Sequence, residues 1–508
     1  MPDPAPAAIA MPRSWREPPS AVETHISVVM FIGDRAYKIL KPVETGFLDH
    51  TDPAVRRTAG LREVELNRRL APDVYLGVAD FGLPEDPPEA VIVMRRMPAD
   101  RRLSNLLDRP EAEIEVRRVA RVLAAFHRDA ARPAAAAAAA TPDAVRRLWR
   151  ENLEELRAVA AGVLQDEDIA AVEALAIEYL DGHEDLMRAR IEEDLAVDGH
   201  GDLLADDVFC LEDGPRILDC LAFSDRLRMG DVIADLAFLA MDLERLGHPA
   251  LAAALLDEHA AVSGDRAPTS LADHWIAYRA SVRAKVACYR APHDPDAHRD
   301  AGRLLSLCRR RLERARLRIV LIGGGPGVGK STLAEAVAGA LGAEWIQSDA
   351  VRKDLAGLPR APLKHAPGVD EELYSAGTSA RVYREMLDRA VDLARRGRSS
   401  ILDASWTSAA ERAHAREHAA REGADLIEIE CRAPDGVADA RIVARRRLGN
   451  SPSDATPRTA AALRARRDPW PESTPLYTTG DPAEAVRAAL TAITSPRPRS
   501  PHGAGRAP

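Results

Sequence analysis

The period of apolar and polar positions changes along the chain, and the changes divide it. Ile26 to Ile32 (ISVVMFI) and Ala36 to Pro42 (AYKILKP) are apolar-rich runs joined by Gly33-Asp-Arg35, which predicts a β-hairpin. Leu61 to Leu70 has helical spacing, with Glu63 and Glu65 in its polar pattern, and Ala90 to Met94 is a further strand. An alanine run, Ala134 to Ala140 between Pro133 and Pro142, reads as a helix margin or a loose connector. Long amphipathic patterns fill 143–195. A polar, strand-like interlude follows, at Val197 to Leu204 and Arg216 to Phe223, with a turn at Glu212-Asp-Gly-Pro215 between them. More helices run to about Ala291, then a loop at 292–300 and a basic helix at 301–316.

Beyond this point the pattern is that of alternating strands and helices. Ile319 to Ile322 has the length and β-branched content of a buried parallel strand. Leu333, Val337 and Leu341 then recur every four residues, as on an amphipathic helix. Ser399 to Asp403 and Leu426 to Cys431 read as strands, the second with alternating apolar residues, and Ala376 to Arg395 as a helix containing Tyr383, read as core. A basic segment begins at Arg441 and continues through Arg464 to Arg467, mostly as a solvated face. The ends, up to about Ser20 and from Ser495 to Pro508, are Pro-rich and expected to be disordered.

At 508 residues the chain exceeds one hydrophobic core, so several domains are expected. Aromatics are only 4% of residues, which leaves Ala, Leu, Val and Ile to build the cores. The net charge of −9 argues against nucleic acid as a partner. Five scattered cysteines without a C-x-x-C pair fit a reducing compartment with no disulfide frame or zinc site. No apolar run approaches a membrane span, and the N-terminal prolines do not suit a signal peptide, so a cytoplasmic location is expected.

The most informative stretch lies between the strand at 319–322 and the helix after it. Gly324-Gly325-Pro326-Gly327-Val328-Gly329-Lys330-Ser331 fits G-x-x-x-x-G-K-[ST], and Thr332 follows. Glycines let successive N–H groups turn toward a phosphate, and the helix start adds its positive end. Lys330 would reach the β/γ-phosphates and Ser331 would ligate Mg2+. ATP and Mg2+ are therefore the expected cofactors. Asp403, at the end of its strand, reads either as a second Mg2+ ligand or as a helix cap. Asp349 follows the strand-like Trp345-Ile-Gln and is either a site carboxylate or, like Ser348, a cap for the helix beginning near Ala350. Upstream, Asp202, Asp207 and Asp219 form a polar cluster that suits phosphoryl transfer, which needs one carboxylate at the acceptor and others on Mg2+.

Two family resemblances extend these readings. His200-Gly-Asp202-Leu-Leu204-Ala-Asp206-Asp207, followed by Ile217-Leu-Asp219, resembles the catalytic loop and metal site of aminoglycoside phosphotransferases, a branch of the protein-kinase-like fold. The resemblance covers about 20–290. It implies that Lys38 pairs with the phosphates, Glu63 partners Lys38, Asp202 is catalytic, Asp207 and Asp219 hold metal, and Asp235 is an internal hydrogen-bond acceptor. Leu204 stands where that family has a second histidine, and Asp207 where it has asparagine; no G-x-G-x-x-G is present. His200 by itself reads better as a histidine bonded to backbone than as a catalytic one. Over about 170 residues, the phosphate loop and Ser348-Asp349-x-x-Arg352 resemble small P-loop kinases of the gluconate-kinase, polynucleotide-kinase and zeta-toxin type. That resemblance implies that Asp349 accepts the substrate hydroxyl proton, Arg352 grips an anionic substrate, and lid arginines, here Arg441 and Arg445, offset charge on the transferring phosphoryl group.

The resulting expectation is an α+β protein-kinase-like N-terminal domain (21–300), a linker helix (301–316) and an α/β P-loop NTPase domain with a mainly parallel sheet (317–494). Its expected activity is ATP-dependent phosphotransfer to a small-molecule hydroxyl by the C-terminal domain, with the N-terminal domain a possible second active site. The alternatives are an ATP-dependent switch with a non-catalytic kinase-like domain, and a polynucleotide 5′-kinase, which the acidic charge disfavours. The substrate and the oligomeric state are not legible.

Overall fold

The computed structural model describes residues 20–24, 26–45, 48–82, 89–359, 375–421, 424–448 and 457–494. Of the two ends expected to be disordered, all but Ser20 lie outside the described residues. The chain forms two compact units. Unit 1 comprises 1–170, 187–267 and 275–308; unit 2 comprises 171–186, 268–274 and 309–508.

Unit 1 starts with an antiparallel sheet of β1 (Ser20–Glu23), β2 (Ser27–Ile32), β3 (Arg35–Leu40), β4 (Tyr75–Phe81) and β5 (Glu89–Arg95), in the order β1-β2-β3-β5-β4. The expected hairpin is β2–β3, with Gly33 in a left-handed conformation at the turn. The helix expected from Leu61 begins earlier, as α1 (Pro53–Asn67): the Asp52 carboxylate accepts the Ala54 N–H and Pro53 occupies the first turn. Its first residues carry no apolar stripe, so periodicity alone misses them. β4 had no expected counterpart. It is an edge strand, exposed toward its end, and Gly77 breaks its pattern. Val64, Val74, Tyr75, Ile92 and Met94 make the core between α1 and this sheet.

The rest of unit 1 is mostly helical. The alanine run is itself a helix, Ala134–Ala139, started by Pro133. α2 (Ala112–Asp129) and the almost fully buried α3 (Val232–Arg245) flank two short hairpin-like pairings: Ala196–Asp198 with Met229–Asp231, and Val208–Leu211 with Gly214–Ile217. α4 (Thr269–Arg290) follows, and a helix at Pro295–Ala315 takes in part of the loop expected at 292–300.

Unit 2 is built on five parallel strands: β6 (Arg318–Gly323), β7 (Glu344–Gln347), β8 (Ser400–Asp403), β9 (Asp425–Arg432) and β10 (Thr474–Tyr477). Their order is β7-β8-β6-β9-β10, the mainly parallel α/β sheet expected. Its helices include α5 (Lys330–Leu341), α6 (Ser348–Leu355), α7 (Ala376–Arg395), α8 (Asp435–Leu448) and α9 (Pro457–Ala465). The unbroken apolar run of β6 has a simple cause, since both of its faces are covered. Ile319 and Leu321 face one core with Met386, Leu402 and Trp406, while Val320 and Ile322 face another with Val337 and Ile429.

In β9 the polar positions are buried too. Glu428 accepts two hydrogen bonds from Arg416, and Glu430 pairs with Arg432 and Arg467. Unit 2 also contains Ser270, whose hydroxyl donates to the Gly397 carbonyl (2.6 Å), and Glu178, which faces Arg316 at 3.9 Å. Among the described residues no helix is long and apolar enough to cross a membrane.

Candidate active sites

The phosphate loop of unit 2 leaves the end of β6 as a tight turn that only glycine fits. Gly324 and Gly327 have φ of 132° and 80°. A Cβ added to Gly324 would meet the Cys431 carbonyl oxygen at 2.5 Å, and one added to Gly327 the Ala438 carbonyl oxygen at 2.3 Å. The Gly324 N–H donates to the Ser405 carbonyl (3.1 Å), and the Thr478 hydroxyl donates to the Val328 carbonyl. Gly329, also left-handed, is the cap residue of α5 and has no side chain to occupy the helix's N–H groups. Lys330 Nζ donates back to the Gly325 carbonyl at 3.0 Å, folded over the loop.

Asp403, at the end of β8, is 4% exposed and hydrogen-bonds the Ser331 hydroxyl. Burial pushes its carboxyl up, and the Lys330 charge and the Ser331 bond oppose that rise. Ser331 and Thr332 are exposed on the first turn of α5. Asp403 ends its strand as expected and is not a helix cap.

Asp349 is also not a cap. α6 starts at Ser348 with Gln347 as its capping residue, without a side-chain bond, and Asp349 lies in the first turn. Arg352, one turn on, is buried at 8% exposure. Burial raises the Tyr383 hydroxyl pKa, and Arg352 is near enough to lower it. Tyr383 is core, as expected, but its hydroxyl also bonds Ser405 Oγ (3.0 Å) and accepts the Trp406 N–H (3.1 Å). It thus supports the segment whose carbonyl holds Gly324.

Arg441 lies on α8 beside the loop. Its Nη2 donates to the Thr478 carbonyl (2.8 Å), and its Nη1 is 3.6 Å from a Cβ built on Gly329. The Arg445 side chain lies outside the described residues. The solvated face expected at Arg464 to Arg467 is corrected in two places. Arg464 packs its stem 4.0 Å from a Cβ built on Gly325 and pairs with Asp439 (3.3 Å), and Arg467 pairs with the buried Glu430.

Unit 1 assembles a second site. Lys38 on β3 donates to Glu63 Oε1 (2.8 Å) and Asp219 Oδ1 (3.0 Å). Burial disfavours the ammonium, but Asp219 and Glu63 hold its pKa well above the ordinary lysine value, while Lys38 pulls the Asp219 carboxyl down. Asp219 is left-handed (φ 61°), with its N–H donating to the Tyr75 hydroxyl (3.3 Å).

The loop at 199–207 is fixed from beneath by Asp235, which accepts the His200 and Gly201 N–H groups at 2.8 and 2.7 Å. His127 Nε2 lies 3.0 Å from the same carboxylate, and His127 Nδ1 is 3.0 Å from His259 Nε2. Burial opposes ionisation of Asp235, yet the bonds from His127 and Gly201 leave its pKa below the carboxylate range. His200 bonds the Leu218 carbonyl through Nε2 (3.0 Å), the backbone-bonded reading of the sequence. Burial pushes Asp202 up to about 6, with Arg283 opposing. Asp207 lies well above the ordinary carboxylate value through burial and the nearby Asp219 and Asp202 charges. Among the described residues no group of three or more His, Cys, Asp or Glu could hold a metal ion.

Sequence reasoning missed Ser405, Thr478 and Arg464 at the phosphate loop. None belongs to a spaced motif. The one available signal was Thr478 directly after an apolar strand, where ligand edges of parallel sheets lie.

A family model described as an AAA domain (AAA_33) matches residues 319–470, the phosphate-loop part of unit 2. Among solved structures, a choline/ethanolamine kinase family protein from Mesorhizobium loti is 16% identical over 60% of this chain and 92% of its own (TM-score 0.39). A gluconokinase from Sinorhizobium meliloti is 18% identical over 35% and 93% (TM-score 0.27). The uncharacterised proteins Rv2004c of Mycobacterium tuberculosis (strain H37Rv) and Mb2027c of Mycobacterium bovis are each 44% identical over 468 residues, 91% of this chain and 93% of theirs. With that identity along nearly the whole of both chains, the protein belongs to the family of these mycobacterial proteins.

Proposed function

We propose that the protein is an ATP-dependent phosphotransferase whose unit 2 transfers the γ-phosphoryl group to a small-molecule hydroxyl. The observation that carries this is the backbone of Gly324 to Gly329: three left-handed glycines, two of them where a Cβ would strike a carbonyl oxygen, lead into a helix start with no side-chain cap, which leaves the first N–H groups of α5 for a phosphate. Lys330 would swing from the Gly325 carbonyl to the phosphates. Ser331 and Asp403 put oxygen donors side by side, which suits Mg2+. When bound, Mg2+ neutralises charge on the triphosphate. Asp349 would accept the acceptor's proton, Arg352 would hold an anionic part of it, and Arg441, with Arg445, would stabilise the transferring group.

Unit 1 supports a second reading, a further phosphotransfer site, because Lys38, Glu63 and Asp219 are already in contact. There Asp202 would take the acceptor proton, and Asp207 and Asp219 would supply the oxygens for Mg2+. Burial and the nearby Asp219 and Asp202 charges disfavour the Asp207 carboxylate, and a divalent ion held there would favour its ionised form. We place the protein in the cytoplasm, in keeping with five buried free cysteines, and expect no tight nucleic-acid partner.

Labelled Mg·ATP and a panel of small alcohols, sugars and 5′-hydroxyl oligonucleotides test the proposal. Transfer to a small alcohol or sugar that is lost in Lys330→Ala supports it. Transfer to oligonucleotides alone, or full transfer by Lys330→Ala with Lys38 also replaced, rejects it.

A further inference from the structure

We propose that Asn67 and Arg69, at the end of α1, are positioning residues of the unit-1 site: they lock the loops that carry Asp202 and Asp219 to the helix that carries Glu63. This deepens the unit-1 reading given above and rests on it. Asp219 is where such a lock is needed. It is an aspartate in the left-handed region (φ 61°), a conformation that a residue with a side chain keeps only when its surroundings impose it. Its side chain is nevertheless 55% exposed, so the backbone is what must be held while the carboxylate stays open to a ligand.

The holding contacts come from α1 and the strand after it. The buried Asn67 accepts the Cys220 N–H at Oδ1 (2.9 Å), and its Nδ2 donates to the Glu63 carbonyl (2.8 Å). One amide thus joins the residue after Asp219 to the turn that carries Glu63. The Tyr75 hydroxyl accepts the Asp219 N–H (3.3 Å). Arg69 reaches both loops. Its Nη1 donates to the Asp198 carbonyl (2.9 Å), and its Nη2 to the Gly199 carbonyl (2.7 Å) and to Cys220 Sγ (3.2 Å). Its Nε returns to the Leu66 carbonyl (3.0 Å), and the guanidinium lies over the Phe126 ring at 5.0 Å.

The two loops are also tied to each other, because the His200 carbonyl accepts the Leu221 N–H (3.0 Å) and the Cys220 S–H (3.4 Å). Asp235 grips the N–H groups of His200 and Gly201 from beneath, whereas Arg69 takes the two carbonyls just before them. The α1 side of this grip leads to Glu63 and through it to Lys38. Displacing either loop would therefore pull on the turn that carries Glu63. A planar fork of fixed donors meets acceptors on both loops at once, which a lysine ammonium on a flexible stem does not. Asn67 and Arg69 touch neither triphosphate nor acceptor in this reading; they act through Asp219, Asp202 and Glu63.

The test uses the full chain carrying Lys330→Ala, in which nucleotide binding reports unit 1. Mg·ATP is titrated by calorimetry at a temperature below the melting of every variant. Added Arg69→Met or Asn67→Leu should weaken binding tenfold or more, and Arg69→Lys, which keeps the charge and loses the fork, should behave like Arg69→Met. Leu153→Ala, a core change on the helix Pro142–Val159, controls for stability alone: it should lower the melting temperature and change affinity less than twofold. Hydrogen exchange over 199–201 and 219–221 should speed up tenfold or more in Arg69→Met and not in Leu153→Ala. The Arg69 side chain is 25% exposed, so its replacement keeps the test valid should Asn67→Leu fold poorly. An affinity change under twofold in Arg69→Met, an equal loss in Leu153→Ala, or full recovery in Arg69→Lys overturns the proposal while the unit-1 reading stands. Absence of Mg·ATP binding by Lys330→Ala itself rejects the unit-1 reading, and the proposal with it.

Discussion

At the scale of single residues, two positions make the account testable with small changes. Gly327→Ala would place a methyl group 2.3 Å from the Ala438 carbonyl oxygen at a φ of 80°. Relief of that clash must distort the loop at a cost on the order of 1–3 kcal/mol. Mg·ATP binding at unit 2 should weaken about tenfold or more, read by calorimetry, while the melting temperature shifts by only a few degrees. Asp202 carries a pH signature. Its carboxyl is pushed up to about 6 and must be ionised to accept a proton, so unit-1 transfer in Lys330→Ala should rise as pH increases through about 6. A rate independent of pH between 5 and 7 would contradict its role.

The glycine loop was legible from its own local spacing, and the Lys38–Glu63–Asp219 contacts only through the family resemblance. Ser405, Thr478 and Arg464 were not. Each reaches its site through tertiary contacts from a separate element, and such contacts leave no local spacing in the sequence.

At the scale of elements, the buried Asp235 on α3 is the support of the 199–207 loop, holding two backbone N–H groups and His127. Asp235→Ala would leave those donors unpaired in a place that water does not reach. The expected destabilisation is about 3–5 kcal/mol, measured by urea unfolding. A loss below about 1 kcal/mol would mean that the loop is held some other way. The elements themselves were readable where both faces or one face are apolar, as in β6 and the β2–β3 hairpin. Reading failed where polar residues are buried or capped. α1 starts at a proline and an aspartate cap rather than at its first leucine, and Glu428 and Glu430 are buried because arginines and Trp470 meet them.

At the scale of the whole molecule, unit 2 is not one continuous stretch. Residues 171–186 and 268–274 belong to it, bringing Ser270 to the Gly397 carbonyl and Glu178 toward Arg316. A fragment of 309–508 should therefore melt below the corresponding transition of the full chain, by several degrees in differential scanning calorimetry. Equal melting would show those segments to be dispensable. The central claim, that the glycine loop of unit 2 grips a triphosphate, is tested most directly in a Lys38→Met background, where the unit-1 lysine is absent. Mg·ATP binding by full-length Lys38→Met is compared with Lys38→Met/Lys330→Ala by equilibrium titration. Loss of Lys330 should weaken the remaining site about a hundredfold or more, roughly 2.8 kcal/mol. Equal affinity in the two variants would contradict the account.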